Sequence, residues 1–344
     1  MNINKMDNKN IIIDNGTNSL RVGFSGDSIK QELPTNDEDK NVRPIDRGII
    51  ENFDCFEKLW EESYSKILKI NPKEYKVLLT EPCDNPKVNR EKMTQIHFEK
   101  FNVKGLFIGN KSVLPLFCSG TDTGTVCDFG EHLNWVVTVF EGYNLPYSIQ
   151  YFNIGGRDLT DKLIQLLSQK GINVKRKDYH IIKDIKENFC YVGADRYLEE
   201  EKKTVQESLI ELPDGQQITL TNEKFLCPEP LFNPKLVGKS HINYSEVCYH
   251  SITKADSDIR KDLFANIVLS GGSSLFPGIT ERIYKDLKCM SGNFPVDVKT
   301  FQDRKFGTWQ GGSILTSLSS FSERWITKEE YDECGPSIVY RKCL

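Results

Sequence analysis

Two segments of this 344-residue chain share one plan, and that repetition constrains the fold more than any other feature. Asp14-Asn15-Gly16-Thr17 lies within IIIDNGTNSLRVGF, and Asp128-Phe129-Gly130-Glu131 within GTVCDFGEHLNWVVTVF. In both, apolar runs rich in β-branched residues flank an Asp-x-Gly turn, which predicts a β-hairpin. A glycine at such a turn lets backbone N–H groups approach phosphate oxygens, and a neighbouring carboxylate can hold the hydration shell of Mg²⁺. One such hairpin in each half of the chain suits a clamp on a nucleoside triphosphate.

The chain is long enough for two domains, because single cores stop growing near 250–300 residues. Its 38% hydrophobic and 27% charged residues place it among ordinary globular proteins. A net charge of −4 with interspersed signs gives no basic face for nucleic acid. No apolar run approaches a membrane span. The ten cysteines show no C-x-x-C spacing, so reduced thiols in a cytosolic or nuclear protein are expected. Asn15-Gly16-Thr17 and Asn243-Tyr244-Ser245 match the glycosylation sequon; with no secretory signal they read as chance matches.

Strand-like runs alternate with amphipathic helices, which predicts an α/β fold. KVLLTEP from Lys76 reads as a strand, and LFIGNKSVLPLF from Leu106 as a strand leading into a helix. One helical face carries Phe56, Leu59, Trp60, Ser63 and Ile67, and another Leu159, Leu163, Leu166 and Leu167, with Gly171 as C-cap. NIVLSGGSSLFPGITERIYKDL reads as a buried strand, a Gly-Gly turn and a helix starting near Pro277. The pair Gly311-Gly312 is expected to open the helix of Ile314, Leu315, Leu318 and Phe321. The charged run Glu199 to Lys203 reads as a solvated helix face, and residues 34–43 as the one linker-like stretch.

The segments NREKMTQIHFEKFN, EGYNLPYSI, GGRDLTDKL, DIKENFCYVGAD, ELPDGQQITLTNEKFLCPEPLF, DIRKDLFANIVLSGG and GGSILTSLSSF…EEYDECGPSIVYRKC together resemble actin over nearly the whole chain. The D-F-G triplet alone could suggest a protein kinase, but no H-R-D loop or V-A-I-K strand accompanies it. The resemblance implies an actin-like ATPase fold: two duplicated domains, each on a mixed five-stranded sheet, with ATP and Mg²⁺ in the cleft between them. Residues 1–117 and 307–344 would form the small domain, with 34–43 as the remnant of its outer subdomain. Residues 118–306 would form the large one, divided into 118–154 with 240–306, and 155–239. It further implies that Gly16, Thr17, Asn18, Leu20 and Arg21 form the first phosphate loop, and Gly130, Glu131, His132 and Leu133 the second. Asp14 and Asp128 would hold Mg²⁺ through water. Gly156 would abut the nucleotide, Lys186 and Glu187 would contact adenine and ribose, Gly271, Gly272, Ser273, Leu275 and Phe276 would close the base pocket, and Lys305 would lie near the adenine.

Four departures from actin shape the functional expectation. Lys111 stands where a glutamine orients the hydrolytic water, and Trp135 where a histidine assists it, so no catalytic residue is assigned and turnover should be slow or nil. An ammonium donates but cannot accept, and Lys111 would pair with the γ-phosphate or with Asp128. Two loop glycines are replaced, by Asn18 and His132; asparagine tolerates the left-handed region, whereas His132 could contact a phosphate or distort its turn. Residues 34–43 replace a segment of roughly forty residues that carries an inter-subunit loop, spanning at most about 33–36 Å extended, and Lys239 puts a charge at the apolar plug after Leu236 and Val237. The N-terminus has Lys5, Lys9 and Asp7 in place of an acidic run that engages motor proteins. The expected function is an ATP-binding structural subunit of a cytoskeletal or nuclear assembly, cytoplasmic or nuclear, with a filament-forming ATPase as the alternative. Its partners would be proteins, other actin-family subunits among them, and Phe117, Gly120, Ile314, Leu315 and Leu318 would form a groove for a partner helix.

Overall fold

The computed structural model describes residues 9–35, 44–172, 174–175, 178–194, 205–212, 215, 217–240 and 242–343. The sequence expectations for Lys5 and Asp7, for residues 36–43, for the run Glu199 to Lys203 and for Leu344 lie outside them. Two compact units are present: Met1–Asp122 with Glu141–Pro146 and Phe306–Leu344, and Thr123–Phe140 with Tyr147–Lys305. The first unit thus takes residues 118–122, 141–146 and 306, which the sequence reading gave to the large domain.

The sheet of the first unit runs Ile326–Thr327, Gly105–Asn110, Lys76–Glu81, Ile11–Asn15, Ser19–Phe24, Gln31–Pro34. The three central strands are parallel, with Ile11 opposite Val77 and Lys76 opposite Gly105. The remaining pairings are antiparallel. Ile11, Ile12 and Ile13 are fully buried, as are Val77, Leu78 and Leu79, the continuous apolar signature of strands covered on both faces. The second unit repeats this plan. Gln150–Phe152 pairs antiparallel with Asn134–Phe140, which pairs antiparallel with Gly124–Phe129. Gly124–Phe129 then lies parallel to Ile267–Ser270, and that strand parallel to Val298–Lys299. Five strands in the same order and senses form the heart of each unit, so the fold is a duplicated α/β arrangement on mixed sheets. The two-residue strand Ile326–Thr327 adds a sixth, antiparallel edge to the first.

The helices follow the predicted faces. Phe53–Glu62 is capped by the Asn52 side chain, which accepts from the Cys55 N–H, and it buries Phe56 and Trp60 before widening into π-turns over Ser63–Leu68. Gly156–Gln169 buries Leu159, Leu163 and Leu167. One expectation fails: Gly311 and Gly312 lie inside the helix Gly307–Ser317 rather than opening it. A Cβ on Gly311 would stand 1.8 Å from the carbonyl oxygen of Leu114, and one on Gly312 3.2 Å from Ile12 and Leu78 side-chain carbons. The glycines serve close packing against the helix Leu114–Cys118 and the sheet. Among the described residues no helix is long and apolar enough to cross a membrane.

Candidate functional site

Each hairpin turns through four residues, between the rungs Asn15↔Leu20 and Phe129↔Asn134. In both turns a Cβ on the glycine would collide with the carbonyl oxygen three residues on: 2.3 Å from Ser19 for Gly16, and 2.5 Å from Leu133 for Gly130. Glycine is required there by close backbone approach, since neither residue has a positive φ. Asn18 and His132 also lie outside the left-handed region, so neither loop depends on that tolerance. In the first loop the carbonyls of Thr17 and Asn18 accept from the Oγ1 and N–H of Thr35 at 2.7 and 3.2 Å. Leu20 is buried and pairs with Leu33.

Asp14 is buried one rung out from the first turn, opposite Arg21. Directly opposed side chains in an antiparallel pair are close enough to interact, and Arg21 Nη1 lies 3.0 Å from Asp14 Oδ2. Thr80, on the neighbouring parallel strand, donates its hydroxyl to Oδ1 at 2.7 Å. Lys111 Nζ is 3.6 Å from the same Oδ1 and donates to the Asn15 carbonyl. Burial pushes the Asp14 carboxyl up, but Lys111 and Arg21 beside it and the Thr80 and Arg21 hydrogen bonds outweigh it and hold it below the ordinary value. Lys111 is therefore a half-buried partner of Asp14, where sequence reasoning had paired it with the γ-phosphate or Asp128. The Asn15 side chain completes the frame: it donates to the Thr80 carbonyl and accepts from Trp60 Nε1, each at 3.0 Å.

At the equivalent rung of the second hairpin Asp128 is half-buried and faces Trp135, which is 7% exposed. Tyr244 donates toward the backbone carbonyls of Asp128 and Trp135, both at 3.3 Å. Ser270 stands beside Asp128 in the register of the parallel strand, as Thr80 does beside Asp14. The turn is braced by the start of the helix Gly156–Gln169: Gly156 N–H donates to the Gly130 carbonyl at 3.0 Å and Arg157 N–H to that of Glu131 at 2.8 Å.

Several residues assigned from the sequence converge on Gly156. A Cβ there would stand 3.0 Å from Glu131 Oε2, 3.1 Å from Ser273 Oγ and 3.5 Å from Lys186 Nζ. Lys186 is only 2% exposed, and its ammonium donates to the Gly156 carbonyl at 2.8 Å and the Thr160 hydroxyl at 2.9 Å. It thus secures the helix start, while the adjacent Glu187 is exposed. Gly271 has φ +90°, and a Cβ on it would meet the Phe129 carbonyl oxygen at 2.4 Å, so only glycine suits this turn. Gly272 has open space around it, Leu275 is 45% exposed and Phe276 is buried. Lys305 is half-buried. Sequence reasoning missed two cations here. Arg304 donates to the Ser274 carbonyl at 2.8 and 3.0 Å while its own carbonyl accepts from Gly271 N–H, which locks the turn. Lys183 Nζ lies 3.5 Å from Glu131 Oε2. Both precede assigned residues, Arg304 by one position before Lys305 and Lys183 by three before Lys186, yet neither carries a signal of its own.

Two further expectations are corrected. Lys239 was read as an uncompensated charge at the plug; it pairs with Asp158 at 2.8 Å and donates to the Asn153 carbonyl, so its desolvation is offset. Proteins of the actin fold generally bind a nucleotide and a divalent metal, but Asp14 does not fit the metal role given to it. Its carboxylate already meets a hydroxyl and two cations, and a dication held through water would approach against both like charges. The groove residues lie on or beside the crossing helices Leu114–Cys118 and Gly307–Ser317, with Ile314 and Leu318 exposed and Phe117 and Leu315 half-buried.

The sequence model of the actin family matches residues 29–179 and 174–344. The first hairpin lies before the matched segments, and its likeness to the second rests on rungs and turn geometry alone. With nearly all the remaining chain matched and the duplicated sheet plan in place, the chain belongs to the actin family.

Proposed function

We propose that this protein binds ATP through its two hairpin loops, hydrolyses it at or near background, and serves as a structural subunit of a cytoskeletal or nuclear multiprotein assembly. The observation that carries the reading is the placement of Lys111. Its ammonium is held between the Asn15 carbonyl and Asp14 at the position expected to orient the attacking water. An ammonium only donates, so it can steady negative charge but cannot accept the hydrogen bond by which an amide oxygen would orient the water. Trp135, at the assisting position, is buried against the second hairpin and its indole offers a donor but no acceptor. Phosphate-loop backbones without water-activating side chains support nucleotide holding rather than turnover.

The subunit role rests on the short 34–43 segment, whose reach is far less than the roughly forty-residue element it replaces, and on the exposed Ile314 and Leu318 beside the half-buried Phe117. This apolar strip suits an amphipathic helix from a partner protein. Lys239 adds little to the case against filaments, because Asp158 compensates it. Sedimentation and electron microscopy under polymerising salt with ATP test the reading. Monomers are expected, and abundant two-stranded filaments of this chain alone would replace the proposal by a filament-forming ATPase.

A further inference from the structure

Within the first unit, three donors converge on one carboxylate. Thr80 Oγ1 takes Asp14 Oδ1 at 2.7 Å, Arg21 Nη1 takes Oδ2 at 3.0 Å, and Lys111 Nζ stands 3.6 Å from Oδ1. Two of the roughly four acceptor positions of the carboxylate are taken by hydrogen bonds, from Thr80 and Arg21, and the Lys111 charge stands against the same group. Two of the donors are cations, and both are mostly shielded from solvent, with side-chain exposures of 16% for Arg21 and 14% for Lys111. Their positions are fixed by other bonds. Lys111 is anchored on the Asn15 carbonyl, and Arg21 Nε lies 3.5 Å from Glu32, which also accepts from Ser19 Oγ at 2.9 Å. Arg21 and Lys111 thus set two fixed cations against the single Asp14 carboxylate. A divalent cation favours a site with surplus negative charge, whereas a polyphosphate favours fixed cations that are already placed.

We infer that the first hairpin takes the phosphates of a nucleotide without a divalent cation, Lys111 and Arg21 supplying the countercharge that a hydrated metal would otherwise bring. This rests on the proposed nucleotide binding and specifies its chemistry. Lys111 is the decisive residue, because Arg21 is the cross-strand partner of Asp14 whatever occupies the loop. When ATP is released the ammonium remains paired with Asp14 and Asn15, so neither state leaves a buried charge alone.

Isothermal titration of the full chain with ATP, once in excess EDTA and once in millimolar MgCl₂, tests the inference. The expected result is binding in both, with dissociation constants within about threefold of each other. Lys111→Gln should weaken binding in EDTA by about tenfold or more, the size of one charge-assisted hydrogen bond, with Mg²⁺ recovering part of the loss. Lys111→Arg keeps the charge and should keep binding in EDTA, and circular dichroism checks that both variants fold. Binding by the unmodified chain only with Mg²⁺ would overturn the inference while leaving nucleotide binding intact. Binding in neither buffer would overturn both. Unchanged affinity of Lys111→Gln in EDTA would remove the role assigned to Lys111.

Discussion

In the first hairpin the second rung from the turn pairs Asp14 with Arg21; in the second the same rung pairs Asp128 with Trp135. Around these rungs the backbone is repeated. Both turns span four residues, both glycines meet the carbonyl three positions on, and both aspartates have a hydroxyl residue beside them on the parallel strand. The side chains have diverged. Asp14 sits among Arg21, Lys111 and Thr80, whereas the second turn is held by backbone bonds from Gly156 and Arg157 and by the Lys183–Glu131 pair. A tight glycine turn is a property of the chain path, and it survives when the residue across the rung changes. What such a turn could hold depends on the charges brought to that rung by elements far away in sequence.

The sharpest way to separate the two rungs is to delete each partner of an aspartate. Arg21→Ala leaves Asp14 with one cation fewer in a buried setting, and a loss of about 3 kcal/mol is expected at neutral pH. Trp135→Ala should lose about 3–5 kcal/mol through the cavity it opens. Their pH profiles differ. The folded pKa of Asp14 lies below its ordinary value of 3.8, so its contribution is present above that value and lost as pH falls through the folded one. The cost of Arg21→Ala should shrink in acid, while that of Trp135→Ala stays flat. Denaturant melts from pH 3 to 7 read both, and parallel profiles would contradict the assigned electrostatics.

Each unit also holds one buried glutamate beside an arginine. Burial raises Glu81 to about 7 against the opposing effects of Arg90 and Asn85, and raises Glu229 to about 7 against Arg282. Such carboxyls bind protons more readily folded than unfolded between pH 4.5 and 7, so their contribution to stability declines as pH rises through that window. Glu81→Gln and Glu229→Gln should each remove the share of that decline due to its own carboxyl, about 3 kcal/mol on this scale. A variant whose profile keeps the full decline would contradict the raised carboxyl at that position.

A smaller effect tests the shared turn itself. Gly16→Ala and Gly130→Ala force the same shift of a backbone carbonyl, and each should cost about 1–3 kcal/mol. Both should also suppress the ATP-induced rise in melting temperature, which for the unmodified chain corresponds to about 2.7 kcal/mol at a hundredfold excess over Kd. If only one variant lost the nucleotide response, the loops would not be equivalent.

The hairpins, the strand runs and the helix faces were legible because each is a local pattern of apolar residues and turn glycines. The interactions that decide chemistry were less so. Lys111 reaches Asn15 across 96 positions, and no local pattern reports such a contact. Lys186 was expected, from the resemblance, to contact the nucleotide, and the structure shows it buried with its hydrogen bonds given to the helix start at Gly156. Gly311-Gly312 reads as the opening of a helix, but the Leu114 carbonyl and the Ile12 and Leu78 side chains demand small residues within one. Lys239 appeared unpaired because Asp158 lies 81 positions away. The Asp-x-Gly turns, by contrast, fixed their own surroundings and were read correctly as hairpins.

The central claim is that the nucleotide is held and not consumed. Its most direct test is the chemical state of nucleotide recovered from the protein. The purified chain is loaded with ATP, freed of excess, incubated for hours, quenched in acid and analysed by chromatography. Bound nucleotide recovered as ATP is the predicted result, because neither Lys111 nor Trp135 offers an acceptor to orient the attacking water. Recovery as ADP at a steady rate in the unmodified protein would contradict the account.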